Sequence, residues 1–168
     1  MAIKQRVLAR NWKFFIEGTT PKTFERITGL ETFSISYSSE ELDTTDFDND
    51  GYDSHVIIGR SVELSLEGAM KMDTRTKERC SGQQRVEAVA EAFLDESIAK
   101  LHIEDPAGNM YEFTGSITLG SVGGGVKDKT SWGATIKGTS KMNKLSSTEG
   151  NTYNRATVIE DYEENEEE

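Results

Sequence analysis

The sequence has little cysteine, little proline and no long apolar run. Cys80 is the only cysteine, so an internal disulfide is excluded and nothing indicates an oxidising compartment. Two prolines in 168 residues exclude a proline-rich or collagen-like class. No segment has the apolar length of a membrane span, and the first residues lack the apolar run of a signal peptide. We expect one domain, made soluble in a cytoplasm.

Basic residues are also scarce, with 19 Lys and Arg against 30 Asp and Glu and a net charge of −11. Proteins that bind nucleic acid tightly carry a basic patch, so the composition argues against that class. The last nine residues, EDYEENEEE, contain seven acids and no base. Such a segment cannot bury apolar surface. We predict a β domain over residues 1–147 and an acidic, flexible extension over 148–168.

Most of the chain alternates apolar and polar residues with a period of two, which is typical of half-buried antiparallel strands. In residues 31–38, for example, Phe33, Ile35 and Tyr37 alternate with serines and a threonine. Similar patterns occur in residues 61–72, 109–119 and 130–139. The sequence therefore predicts a mainly β fold, a sandwich or barrel.

One segment, about residues 82–96, has helical periodicity instead. Its apolar residues recur at i, i+3, i+4, i+7 and i+8, which predicts an amphipathic helix that covers a sheet. Ser81 is the predicted N-cap. The apolar stripe consists of Val86, Val89, Ala90, Phe93 and Leu94.

The segment DTTDFDNDGYDS, residues 43–54, resembles a calcium loop in part. Asp46, Asp48, Asp50 and Gly51 occupy positions 1, 3, 5 and 6 of that pattern. Position 12, which should be a bidentate glutamate, is Ile57, and the flanking segments are strand-like. No EF-hand is predicted. A weak, irregular cation site on Asp46, Asp48 and Asp50 stays open as an alternative.

No other motif in the sequence identifies an active site. The glycine-rich stretch GSVGGGVK approaches a phosphate loop, but Val126 and Lys127 stand where lysine and a hydroxyl residue are required. His55 and His102 have no cysteine or second histidine at metal-ligand spacing, so we expect surface or interface histidines. A catalytic use of either histidine with an acid and a serine or Cys80 stays open. We predict no cofactor and no enzyme.

Over residues 8–142 the chain resembles the major tail tube proteins of long-tailed, siphophage-type bacteriophages. The blocks that carry the resemblance are ARNW, DTTDFDNDGYDSH, the GGG and SW pair, and Gly82-Gln83 followed by Val86-Glu87. The resemblance implies two packed antiparallel sheets flanked by one helix, and hexameric rings that stack into a tube. One sheet of each subunit would line a channel through which the genome passes.

The resemblance also implies partners and a location. Other copies of the chain form the rings, a tape-measure protein lies inside during assembly, and baseplate or distal tail and tail terminator proteins bind the ends. Genome DNA would pass without specific binding, and no membrane anchoring is expected. The location would be the tail of the virion, after assembly in the bacterial host cytoplasm.

The polar strand faces suit such a channel because they consist mainly of Ser, Thr and Glu. A wall of this type offers DNA phosphates no cationic partner. Sparse protection of the sheet edges also suits strands that a neighbouring subunit completes. The candidate lumen-facing positions are Thr32, Ser34, Ser36, Ser61, Glu63, Ser65, Glu67, Glu112, Thr114 and Ser116.

The resemblance further implies that the long loop at about residues 40–57 reaches neighbouring subunits and the adjacent ring. Phe47 and Tyr52 would be aromatic anchors on a polar strip. Arg60 and Lys127 are candidate partners for the acids of a neighbouring loop. The candidate ring-stacking residues are Asp43, Asp46, Phe47, Asp48, Asp50, Gly51, Tyr52, Asp53 and His55.

One alternative from another class stays open. Clustered aspartates on a β-sandwich also fit an extracellular carbohydrate-binding module assisted by Ca²⁺.

Overall fold

The computed structural model describes residues 7–45 and 52–146, together with the backbone strand at 154–155. Nine strands and one α-helix make up this part of the chain, with short 3₁₀ turns at Ala9–Asn11 and Leu94–Ser97. The strands are β1 (Lys13–Glu17), β2 (Thr23–Ile27), β3 (Leu30–Asp43), β4 (His55–Ala69), β5 (Ile98–Glu104), β6 (Met110–Leu119), β7 (Ser131–Gly138), β8 (Asn143–Leu145) and β9 (Asn154–Arg155), and the helix is α1 (Ser81–Glu91).

The strands form one sheet in the order β3-β4-β7-β6-β5-β1-β2-β9, and β8 pairs with β6. All neighbours are antiparallel except β2 and β9. The predicted mainly β fold with one helix is confirmed. Hydrogen bonds join the strands continuously, however, so the two packed sheets of the prediction are one sheet here.

This sheet coils until distant strands face one another. Phe33 of β3 lies 5.0 Å from Phe14 of β1 and 5.3 Å from Trp12, measured between ring centroids. β3 and β1 are separated by four strands in the sheet order. Strand twist, accumulated over several strands, allows such an approach. The inner face thus encloses one core between its own ends.

The core follows the alternation of the strands. Leu64 and Leu66 of β4, Phe113 of β6 and Ile136 of β7 are buried on the inner face. Helix α1 adds Val86, which is also fully buried. Each of these side chains contributes about 1.5–3 kcal/mol by leaving water.

Gly82 and Gln83 fix the start of α1 against the sheet. A Cβ atom on Gly82 would lie 2.2 Å from the carbonyl oxygen of Arg26, so only glycine fits. The buried Gln83 side chain accepts a hydrogen bond from Lys71 N at 3.1 Å. Its Nε2 donates to the carbonyls of Thr28 and Ala69 at 2.8 and 2.9 Å. The Gln83 amide thus satisfies three backbone groups in a buried place.

The helix is shorter than predicted. α1 ends at Glu91 and its N-cap is Cys80 rather than Ser81. Phe93 and Leu94, assigned to the apolar stripe, are 85% and 87% exposed, so that part of the prediction is wrong. The chain leaves the helix in extended conformation, and Leu94 has φ 56°. The helix stops because the following residues must turn into β5, which pairs with β6 from Ile98.

The segment EDPAGN, residues 104–109, forms the turn that joins β5 to β6. Gly108 has φ 84°, which its missing Cβ allows. The carboxylate of Asp105 accepts hydrogen bonds from the backbone of Ala107 and Asn109 at 2.9 and 2.8 Å. Burial opposes ionisation of Asp105, but its hydrogen bonds with Asn109 and Ala107 outweigh it and hold the pKa below the ordinary value.

Candidate functional site: the polar sheet face and the hairpin arm

The strand register brings all ten predicted lumen positions to one face of the sheet, opposite the core. On β3 and β4, Thr32 lies opposite Glu67, Ser34 opposite Ser65, and Ser36 opposite Glu63. β7 and β6 continue the same rows. We call this surface the polar face, and its predicted members are Thr32, Ser34, Ser36, Ser61, Glu63, Ser65, Glu67, Glu112, Thr114 and Ser116.

The side chains at the centre of the polar face are short and uncharged, and acidic side chains lie around them. One cross-strand row runs from Ser34 through Ser65 and Thr135 to Thr118. In the next row Lys137 of β7 lies opposite both Glu63 and Ser116, so one base interrupts the acidic character. Opposite charges placed side by side stabilise the pairing of adjacent strands.

The far end of the polar face differs from the prediction. His102 on β5 is fully buried, which corrects the expectation of a surface histidine. Its ring stacks on Phe24 with centroids 3.7 Å apart. Nε2 of His102 and Nζ of Lys100 lie 3.3 and 3.5 Å from the Glu112 carboxylate. Glu112 is therefore tied into a charged cluster and is not a freely solvated acid.

β3 and β4 extend beyond the rest of the sheet as a two-stranded projection. The ladder between β4 and β7 ends at Glu63, whereas the ladder between β3 and β4 continues to Asp43 and His55. We call residues 37–62 the hairpin arm. The strands extend into the predicted loop, so their connection is 44–54 rather than 40–57.

The hairpin arm exposes large apolar side chains. Tyr37 is 70% and Tyr52 is 78% exposed. A β-bulge between Glu40 and Glu41 interrupts the register, and bulges bend and twist the strand that carries them. A cluster of exposed apolar groups on a polar protein indicates an interaction surface. The other exposed members are Leu42, Val56, Ile57 and Ile58.

The described residues near the tip hold their backbone with polar side chains. The carboxylate of Asp43 accepts a hydrogen bond from Thr45 N at 2.8 Å, and the Thr45 hydroxyl accepts one from Ser54 N at 3.0 Å. The hydrogen bonds with Thr45 hold the pKa of Asp43 below its ordinary value. Of the predicted stacking residues, Asp46, Phe47, Asp48, Asp50 and Gly51 lie outside the described residues.

The described part of the chain brings no three His, Cys, Asp or Glu side chains together as a metal site. The open alternative on Asp46, Asp48 and Asp50 falls outside it. Nor does any helix among the described residues have the length and apolar character to cross a membrane.

Comparison with known proteins identifies the family. The profile of phage tail tube proteins matches residues 12–144. A solved tail of an empty gene transfer agent particle, with C6 symmetry, is similar with TM-score 0.62 and 19% identity, over 83% of this chain and 98% of that one. The native gene transfer agent virion gives TM-score 0.59 and 17% identity, over 83% and 98%. The sheath–tube complex of an extracellular contractile injection system gives 0.53 and 10%, over 85% and 95%.

At these identities the structural similarity establishes the fold, and the family profile establishes the family. No curated protein sequence matches the chain. The chain belongs to the phage tail tube protein family, whose role is structural.

Proposed function

We propose that this chain forms hexameric rings that stack into a tail tube, with the polar face lining a channel for DNA ejection into the host cell. The observation that carries the proposal is that face itself. Ten predicted positions of only Ser, Thr and Glu lie together on one side of a continuous sheet. The C6 symmetry of the similar gene transfer agent tail supports a ring of six.

Ring closure would use the edge of the sheet at β3. This strand has 14 residues, and within the described residues only its β4 side is paired. It contains neither proline nor lysine, the residues that commonly protect exposed edges. A strand of the neighbouring subunit would satisfy the free N–H and C=O groups of β3. The sheet would then continue from one subunit to the next as a barrel.

The chemistry of the polar face suits the passage of DNA. Serine and threonine hydroxyls are short and neutral, and Glu63 and Glu67 repel phosphates. Lys137 is held opposite Glu63, which offsets its charge. Without a row of unpaired cations, DNA has no chain of phosphate contacts to break during transit.

Ring stacking would use the hairpin arm and its tip. The arm projects beyond the β7 ladder and exposes Tyr37 and Tyr52, so it can reach a subunit of the next ring. Aromatic residues often dominate the energy of such contacts. Stacking surfaces of this kind are used head to tail, which yields an open, extendable polymer.

The remaining partners and the location follow from the same assembly. A tape-measure protein would occupy the tube during assembly, and baseplate or distal tail and tail terminator proteins would close its ends. DNA would pass without specific binding. The protein would assemble in the host cytoplasm, reside in the virion tail and catalyse no reaction.

Negative-stain electron microscopy of the purified protein tests the proposal. The expected result is rings or tubes with an open bore and a wall about one protein layer thick. A strict monomer that is stabilised by Ca²⁺ in thermal unfolding would overturn it, because a ligand raises stability only when it binds the native state. That outcome would favour the carbohydrate-binding alternative.

A further inference from the structure

A groove of about 780 Å³ lies at the base of the hairpin arm, between β3, β4 and the segment that leads into β8. Its floor is apolar, because Val62, Tyr111 and Met142 line it and pack against the core. The hydroxyl of Tyr37 points to Met142 Sδ at 3.7 Å and closes one side. The volume lies in the range of pockets that bind ligands, about 300–1,000 Å³.

The rim of this groove is basic. Arg60, Lys141 and Lys144 line it, and no lining residue is acidic. Across the described part of the chain, none of the three belongs to an ion pair. Lys144 also acts on Asp105, outside the groove, and lowers its pKa. A partner that offers several carboxylates and an aromatic side chain would match both rim and floor.

The tip of the hairpin arm has that chemistry. Residues 43–53 contain five aspartates and no base. Asp43 and Asp53 are exposed, and Tyr52 beside them is 78% exposed. Charge complementarity of this kind steers association and fixes the register of a contact.

Geometry makes this contact intermolecular. The groove lies at the Tyr37–Val62 pair, and the tip follows the Asp43–His55 pair, six residues further along β3. At about 3.3 Å per residue the two are separated by roughly 20 Å. The β3–β4 ladder resumes after the bulge and runs to the Asp43–His55 pair, so it holds the described residues Tyr52 and Asp53 of the tip away from their own groove.

We propose that this groove receives the hairpin tip of a second copy of the chain, located in the adjacent ring. The inference rests on the proposed stacking and names the receiving surface. Tyr52 enters against Tyr111 and Met142, and the tip aspartates pair with Arg60, Lys141 and Lys144. The tip and the groove are different surfaces of the same subunit. Each copy therefore inserts its tip into one neighbour and receives the tip of another in its groove. Such a contact repeats without closing and extends a tube.

Disulfide crosslinking of assembled tubes tests the contact directly. The variant Ser140→Cys with Asp53→Cys places one thiol in the groove and one at the tip. Oxidation should give a ladder of covalent dimers, trimers and longer chains on denaturing, non-reducing gels. The matched control Ser121→Cys with Asp53→Cys, whose first thiol lies outside the groove, should give no ladder. Tubes that form but yield no groove-to-tip ladder would overturn the inference and leave the proposed tube intact.

Charge reversal supplies a second test. Lys141→Glu with Lys144→Glu should raise the protein concentration needed for tube assembly by about tenfold or more. A tenfold change corresponds to the loss of only about 1.4 kcal/mol of contact free energy. The same loss is expected for Asp50→Lys with Asp53→Lys. Combining all four substitutions restores opposite charges and should restore tubes. Reversal of two exposed bases elsewhere, Arg75→Glu with Lys77→Glu, should have no effect, and circular dichroism confirms folding of each variant.

The outcomes separate the two proposals. If the wild-type protein forms neither rings nor tubes, the proposed function fails. If tubes survive the groove reversal, or if Lys127→Glu alone abolishes them, the groove is not the receiving surface. If deletion of residues 160–168 abolishes tubes while the tip reversal does not, the acidic C-terminal run is the occupant, and the inference is wrong.

Discussion

The indole Nε1 of Trp132 donates a hydrogen bond of 3.0 Å to Oε1 of Glu87. The same carboxylate accepts hydrogen bonds from the guanidinium of Arg79, one of them at 3.0 Å. Glu87 therefore joins α1 to β7 and to the segment before the helix. Glu87 and Trp132, which both lie in blocks that carry the family resemblance, are thus in direct contact.

Glu87→Ala should lower the free energy of unfolding by about 1–3 kcal/mol, because Trp132 and Arg79 lose a shared acceptor in a partly buried place. Chemical denaturation of the unassembled subunit measures the change. Glu91→Ala, at an exposed position of the same helix, is the matched control and should change stability by less than about 0.5 kcal/mol. Equal effects of the two variants would contradict the account of Glu87.

Gly82→Ala should destabilise the protein by about 2–3 kcal/mol, as expected for overpacking. Elsewhere in a helix this substitution stabilises, so the sign is informative. The cause is the carbonyl of Arg26, 2.2 Å from the new Cβ. Gly123→Ala is the control, since a Cβ there meets no atom within 4 Å. Thermal unfolding of both variants provides the comparison, and a stabilised Gly82→Ala would refute the packing of α1.

Asp105→Asn should weaken the subunit at neutral pH by about 1 kcal/mol through weaker hydrogen bonds in the β5–β6 turn. The folded pKa of Asp105 lies below its ordinary value. Its charged form therefore stabilises the fold above that value, and this contribution is lost as the pH falls through the folded pKa. The difference in stability between variant and wild type should therefore shrink as the pH falls from 7 to 2. A difference that stays constant over this range would point to another cause.

Phe47→Ala with Tyr52→Ala should block ring stacking and leave the subunit folded, because the apolar anchors of the arm tip are removed. Electron microscopy should then show single rings or free subunits in place of tubes, with an unchanged circular dichroism spectrum. Val126→Ala removes an exposed apolar side chain from a loop and serves as the control. Tubes of normal length in the double variant would show that the arm tip takes no part in ring stacking.

Local patterns predicted the strands and their faces, because a two-residue alternation fixes which side chains share a side of the sheet. This is why Ser34 and Ser65, distant in sequence, were assigned to one surface and do lie opposite one another. The same reasoning failed at Phe93 and Leu94, whose helical spacing was overridden by the turn into β5. Local spacing carries no information about such a tertiary constraint.

Other features depend on contacts between distant segments and left no local signal. Phe15, Phe24 and His102 lie on the side of the polar face yet are buried, which no alternation rule indicates. The basic groove combines Arg60 with Lys141 and Lys144, which only the β6–β8 pairing brings beside the arm. The pairing of all strands into one coiled sheet likewise could not be predicted, because it depends on the register of every strand pair.

A high-resolution helical reconstruction of the assembled tube tests the central claim most directly. The account predicts six subunits per ring and a bore lined by the polar face, with Ser34, Ser65 and Glu67 facing the channel. A lumen lined by the opposite face, or one with a net positive charge, would contradict it.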